Sequence, residues 1–182
     1  MHLRAYHEQT DFEHIESWIS DERTHALWSA DRLPYPLSIE GLHKYLSEQI
    51  LSSVKEYDGA YVYVNEDDRP VGFLIYSVNE QDKSGFVRFI MVDNTSRGKG
   101  YGTAMLKEFQ RFAYDRTRAA AIRLMVFDVN AAARKCYEKA GFHVVNDTLD
   151  TFSYQDETWE RCMMEHICRG HVRSDEIDKK FD

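Results

Sequence analysis

The run Arg97-Gly98-Lys99-Gly100-Tyr101-Gly102-Thr103 narrows what this chain can fold into more than any other stretch. Before it, Phe86, Arg88, Ile90 and Val92 alternate with Val87, Phe89 and Met91, which predicts a largely buried strand, and Asp93-Asn94-Thr95-Ser96 breaks it. After it, Tyr101, Ala104, Met105, Phe109, Phe112 and Ala113 recur at the spacing of a helix face. A glycine loop between a strand and a helix N-terminus offers backbone N–H groups that lack a partner inside the helix, at the positive end of its dipole. Such a loop suits phosphate oxygens, and Arg97 and Lys99 add positive charge beside it.

Spacing narrows the ligand. A Walker A loop puts Lys directly after its last glycine, whereas Gly102 is followed by Thr103, so ATP and GTP are disfavoured. The dinucleotide pattern G-x-G-x-x-G is absent, since Gly98, Gly100 and Gly102 stand at alternate positions. What remains is R-x-x-G-x-G, from Arg97 to Gly102. A second run, Asn130-Ala131-Ala132-Ala133-Arg134-Lys135-Cys136-Tyr137-Glu138-Lys139-Ala140-Gly141-Phe142, follows another strand-like segment at 121–127.

Together the two runs resemble the GNAT superfamily of N-acetyltransferases: the first its acetyl-CoA pyrophosphate loop, the second its pattern N-x-x-A-x-x-x-Y-E-K-x-G-F. The resemblance spans roughly residues 3–167, with 33–37 and 159–165 also family-like. It is closest to the branch that includes ribosomal-protein N-terminal acetyltransferases. It implies an α/β fold with a mixed, mostly antiparallel sheet of about seven strands flanked by about four helices. It implies acetyl-CoA as cosubstrate and a primary amine as acceptor, on a small molecule or a protein N-terminus, and it leaves a homodimer open. Tyr137 matches the family's proton-donating tyrosine, and Asn130 matches an asparagine that contacts the cofactor. The pyrophosphate falls to Arg97, Gly98, Lys99, Gly100, Tyr101, Gly102 and Thr103, and the pantetheine arm to Ile90, Met91 and Val92. Helical spacing turns Tyr137 inward with Ala133, Cys136 and Ala140, small neighbours that leave room for a slender arm. Asn130 serves equally as the N-cap of that helix, and the two roles are compatible.

The general base is not legible. Met125 occupies the position at which some relatives carry a glutamate, and Asp93 and Asp128, at strand ends, are unranked alternatives. A catalytically idle acetyl-CoA-binding sensor therefore stands beside the enzyme as a second reading.

A chain of 182 residues suits one domain, here 1–167, with a charged tail at 168–182. The net charge of −8 disfavours nucleic-acid partners and weakly favours a cationic acceptor. Few cysteines and no apolar leader suggest the cytoplasm, and no apolar run is long enough for a bilayer, so no membrane partner is expected. No metal is expected either: Cys162, His166, Cys168 and His171 resemble zinc spacing, but an extended strand sets Cys162 and Cys168 ~20 Å apart.

The N-terminal half reads as a strand at 3–6, then a helix capped by Thr10 with Phe12, Ile15, Trp18 and Ile19 on one face. Asp21 and Glu22 fall near a loop, the prolines at 34 and 36 keep that stretch irregular, and Ser38 caps a helix bearing Leu42, Tyr45, Leu46, Ile50 and Leu51. Strands at 61–64 and 71–78 form a meander, and residues 142–154 and 157–167 form a hairpin around Gln155-Asp156. Trp18, Trp28 and Tyr35 fit a core as well as a substrate pocket.

Overall fold

The computed structural model describes residues 1–50 and 57–167, and the structural statements below concern those. Leu51 and the tail at 168–182, with Cys168 and His171, lie outside them. The strands are β1 (His2–Ala5), β2 (Gly59–Val64), β3 (Pro70–Val78), β4 (Ser84–Val92), β5 (Ala121–Phe127), β6 (His143–Tyr154) and β7 (Glu157–His166). They form one sheet in the order β1-β2-β3-β4-β5-β7-β6. Every pairing is antiparallel except β4 with β5. That parallel pair needs a long crossover, and the helix after the glycine loop, Tyr101–Thr117, the fourth in chain order and hence α4, supplies it; three helices precede it.

Those helices are α1 (Glu8–Ser17), α2 (Glu22–Ser29) and α3 (Ile39–Tyr45), the last running on as a π-helical turn at Leu46–Ile50; α5 (Ala131–Lys139) follows β5. One face of the sheet packs Leu74, Tyr76, Ile122 and Leu124 against Leu106 and Phe109 of α4 and Tyr137 of α5. The other face packs Phe73, Ile75 and Phe89 against Phe12 and Ile15 of α1 and Leu42 and Tyr45 of α3. Trp18 belongs to this second core, 2% exposed. Burial of these side chains at roughly 1.5–3 kcal/mol each drives the layering.

Two local expectations change. Helix α1 starts two residues before Thr10, with His7 as N-cap, because the fully buried Asp11 carboxylate takes over the organising role: it accepts from the His7 N–H at 2.7 Å and from Arg4 Nη1 and Nη2 at 2.8 and 2.9 Å. Helix α2 was not expected. Its N-cap Asp21 accepts from the Thr24 N–H at 2.7 Å, but what holds it is tertiary. Arg23 forms a two-pronged ion pair with Glu157 and lies over the Trp159 ring, 5.0 Å from its centre, while Ala26 packs with Phe127, Tyr154 and Trp159.

The sheet carries two irregularities that matter for the site. At Phe89 the backbone adopts a φ of 53°, and the register against β3 slips between Phe73 and Ile75. This bulge interrupts the alternation read from the sequence: Val87, Ile90 and Val92 face α4 and α5, whereas Phe89 and Met91 face the α1 and α3 side, and strand alternation puts Phe86 and Arg88 there as well. Next, β4 and β5 are paired only at Ser84, Gly85 and Phe86, opposite Ala121, Ile122 and Arg123. Beyond Phe86 the two strands part, and two backbone edges face each other across the gap.

Candidate active site

The gap opens into a cleft of about 1100 Å³ that reaches both faces of the sheet. On the α4 and α5 side it is lined by Ile90, Val92, Arg97, Gly98, Gly100, Tyr101, Gly102, Thr103, Asn130, Cys136 and Tyr137; Met91 also borders it. Of the residues expected to bind the cosubstrate or to act in catalysis, Lys99 alone does not line the cleft; it is exposed.

Several features suit the loop to an anion. Gly100 is the N-cap of α4 with a φ of 85°, no side chain caps the helix, and a Cβ at Gly98 or Gly100 would meet no protein atom within 4 Å. The first N–H groups of α4 therefore face open space at the positive end of a 17-residue helix. Gly102 serves another purpose: a Cβ there would lie 2.9 Å from Cys136 Sγ and 3.3 Å from Val92, so the missing side chain lets α4 approach α5 and β4. An arm bearing phosphates at one end and amides along its length fits this frame.

Tyr137 stands on the inner face of α5, 7% exposed, with its ring 6.4 Å from that of Phe142. Its hydroxyl is hydrogen-bonded to no other described residue. Two other buried tyrosines are tied down, Tyr76 sharing a hydrogen bond with Thr117 at 3.0 Å and Tyr114 donating to the His166 carbonyl at 2.6 Å, whereas the buried Tyr6 hydroxyl, like that of Tyr137, has no described partner. Burial pushes the Tyr137 pKa well above the usual tyrosine range, with the neighbouring Cys136 adding to it, so the group is a proton donor at neutral pH. Asn130 caps α5, its Oδ1 accepting from the Ala133 N–H at 3.2 Å, while its residue borders the cleft.

Neither aspartate weighed as a base reaches the cleft. Asp93, 3% exposed, accepts from the Thr95 N–H and hydroxyl, both at 2.9 Å, and from the Ser96 hydroxyl at 3.1 Å, fixing the turn that leads into the glycine loop. Burial alone would raise its pKa, but these hydrogen bonds outweigh it and hold the carboxyl below its ordinary value. Asp93→Ala would leave buried donors unpaired at a cost of about 1–3 kcal/mol. The expected outcome is a melting temperature lowered by several degrees with kcat largely kept, read by thermal unfolding beside initial rates. Asp128 accepts from the Glu160 N–H at 2.9 Å and joins β5 to β7. Met125 lines the cleft with no group able to take a proton. Among the described lining residues there is no Asp, Glu or His.

On the far side of the cleft the sequence offered only Trp28, weighed as pocket or core and left unassigned. Thr24, Leu27, Trp28 and Ser29 of α2 form its wall, facing Phe86, Arg88 and Phe89 of β4 and Phe127 of β5, with Arg32 and Arg161 at its margin. The Trp28 ring lies 5.3 Å from that of Phe89. Tyr35 is not part of this wall; it is 49% exposed and packs on His25. His25 itself is buried behind Ser29, whose hydroxyl lies 3.3 Å from Nδ1, and burial pushes its pKa down, so it is neutral at pH 7.

No group of three or more His, Cys, Asp or Glu among the described residues is placed to hold a metal. Cys162 is buried and donates to the Asp147 carbonyl. No described helix is long and apolar enough to cross a membrane.

Residues 11–142 match the model of the acetyltransferase (GNAT) family. An uncharacterized N-acetyltransferase of Methanocaldococcus jannaschii is 27% identical over 113 residues, which span 62% of this chain and 65% of that protein. Among solved structures, the spermidine N-acetyltransferase of Vibrio cholerae, in complex with CoA and spermine, superposes with a TM-score of 0.74 at 17% identity, covering 91% of this chain and 94% of that one. The ribosomal-protein-alanine N-acetyltransferase of Brucella melitensis does so with a TM-score of 0.71 at 19% identity, covering 92% of this chain and 100% of the other. At these identities the superpositions speak to the fold.

Proposed function

Because the chain belongs to the acetyltransferase (GNAT) family, we propose that it moves an acetyl group from acetyl-CoA to a primary amine, with Tyr137 as the general acid. The observation that carries this is the single cleft in which the uncapped start of α4, the open edge of β4 and the unpartnered Tyr137 hydroxyl meet. Acetyl-CoA supplies an activated acyl carbon and a thiolate leaving group. The phosphate end is held by the N–H groups at the start of α4 with Arg97 beside them, and Asn130, which lines the same cleft, contacts the cosubstrate. Free N–H groups of β4 are available to the carbonyl oxygen as charge develops on it. As the amine nitrogen bonds to the acyl carbon and the carbon–sulfur bond breaks, Tyr137 gives its proton to the sulfur. The amine's own proton leaves to water, because no carboxylate or imidazole lines the described cleft.

That last feature is also what an idle acetyl-CoA sensor would show, and one assay separates the two readings. Thiol release from acetyl-CoA should rise above background in the presence of an acceptor amine, with one acetylated amine formed per thiol. Tight binding of acetyl-CoA, with no acetylated product from any class of amine, would leave the sensor.

A further inference from the structure

The two sides of the cleft differ in charge, and the acceptor side carries the more telling imbalance. Cations on the loop side, Arg97, Lys107, Lys135 and Lys139, stand with the phosphate-binding elements. Arg88 stands apart from them, four strand residues before Val92 and so roughly 13 Å along β4, on the opposite face. Its Nη2 donates to the Ser77 hydroxyl at 2.9 Å and its guanidinium lies over the Phe86 ring, 5.0 Å from the centre. Its Nε is buried with no hydrogen-bond partner, and no described carboxylate pairs with it. On the next strand, by contrast, Arg123 is neutralised by Asp82 and Glu165, each at 2.7 Å, and Arg161 at the margin lies 2.9 Å from Asp150.

The wall opposite shows a matching deficit. Trp28 Nε1 is buried with no acceptor, and the exposed Arg32 at the mouth has no carboxylate partner among the described residues. A half-buried cation with no counter-ion and a buried N–H with no acceptor are both unfavourable unless a ligand completes them. The surface between them is apolar: Leu27, Phe86, Phe89 and Phe127. A polyamine would bring further positive charge to a wall that already carries it without compensation.

We propose that the acceptor is an amine that also bears an oxyanion, in the simplest case a free α-amino acid with an apolar side chain, and that Arg88 and the Trp28 indole N–H receive its carboxylate. This rests on reading the cleft as an acetyltransferase site. It also answers the missing base, since a nearby guanidinium disfavours the ammonium form of the acceptor and helps it shed a proton to water.

The test compares apolar α-amino acids with their amides, their decarboxylated amines and spermidine, each with acetyl-CoA. The carboxylate form is expected to lead in kcat/KM by about 10- to 100-fold, the range of a charge-assisted hydrogen bond. Arg88→Gln should collapse that preference toward one, chiefly through KM, while Arg88→Lys keeps part of it; CoA-induced thermal stabilisation of both variants verifies that they fold. Equal rates for amino acid and decarboxylated amine, or a preference for spermidine, would overturn the proposal. Should no amine be acetylated, the acetyl-transfer reading fails, and binding decides the anion question separately. N-acetyl amino acids titrated into the CoA complex should then bind the parent protein and not Arg88→Gln, and equal binding to both would reject it.

Discussion

Tyr137→Phe is expected to lower kcat by about 10²- to 10⁴-fold while leaving acetyl-CoA affinity nearly unchanged. The ring stays, so its packing against Phe142 and the small face of α5 is kept. The hydroxyl has no described protein partner, so removing it breaks no internal hydrogen bond, and the melting temperature should move by at most a few degrees. A residue that merely fills the core would give the same thermal result with kcat intact, and that outcome on a substrate limited by chemistry would remove Tyr137 from the mechanism. The pH profile supplies a second check. The acid must be protonated to act, and burial raises its pKa, so the active form persists to higher pH than an ordinary tyrosine near ~10 would allow. The rate should therefore climb as the acceptor amine becomes neutral and show no fall through the usual tyrosine range. A falling limb centred near 10 or below would contradict this.

Gly100→Val is expected to abolish the stabilisation that CoA confers on a protein that still folds. A ligand at 100 times its Kd adds about 2.7 kcal/mol, which for a domain of this size is about 5–11 °C. NADH and ATP should add much less. The substitution forces a β-branched residue to a φ of 85°, at roughly 1–2 kcal/mol or more. A Cβ there meets no protein atom within 4 Å, so the fold has room for it, while its bulk at the N-cap of α4 is expected to obstruct a phosphate at that helix start. An undiminished CoA shift in this variant would move the phosphate site elsewhere.

What the sequence disclosed and what it withheld follow from how local each cause is. The start of α4, the span of β5 and the inward turn of Tyr137 are set by spacing within a dozen residues, and each is readable from that spacing. Helix α2 is not, because its reasons lie in Glu157, Tyr154 and Trp159, more than a hundred residues away. The bulge at Phe89 is hidden for a different reason: residues 86–92 alternate so regularly that nothing local marks the slip, and only pairing with β3 reveals it. The basic lining of the cleft was not foreseen. A net charge of −8 says nothing of where charges sit, and the described lining contains only basic residues among its charges because Arg32, Arg88 and Arg161 arrive from separate elements.

The parting of β4 from β5 has a topological consequence. A sheet interior normally leaves no backbone group idle, and exposed strand edges are usually short, bulged or covered, because each is a template for another strand. Here two such edges lie in the middle of the sheet, protected from other chains by the helices on either side. On the proposed reading the amide-bearing arm of the cosubstrate would take the place of a strand between these edges, by strand addition. Binding and completion of the sheet would then be one event.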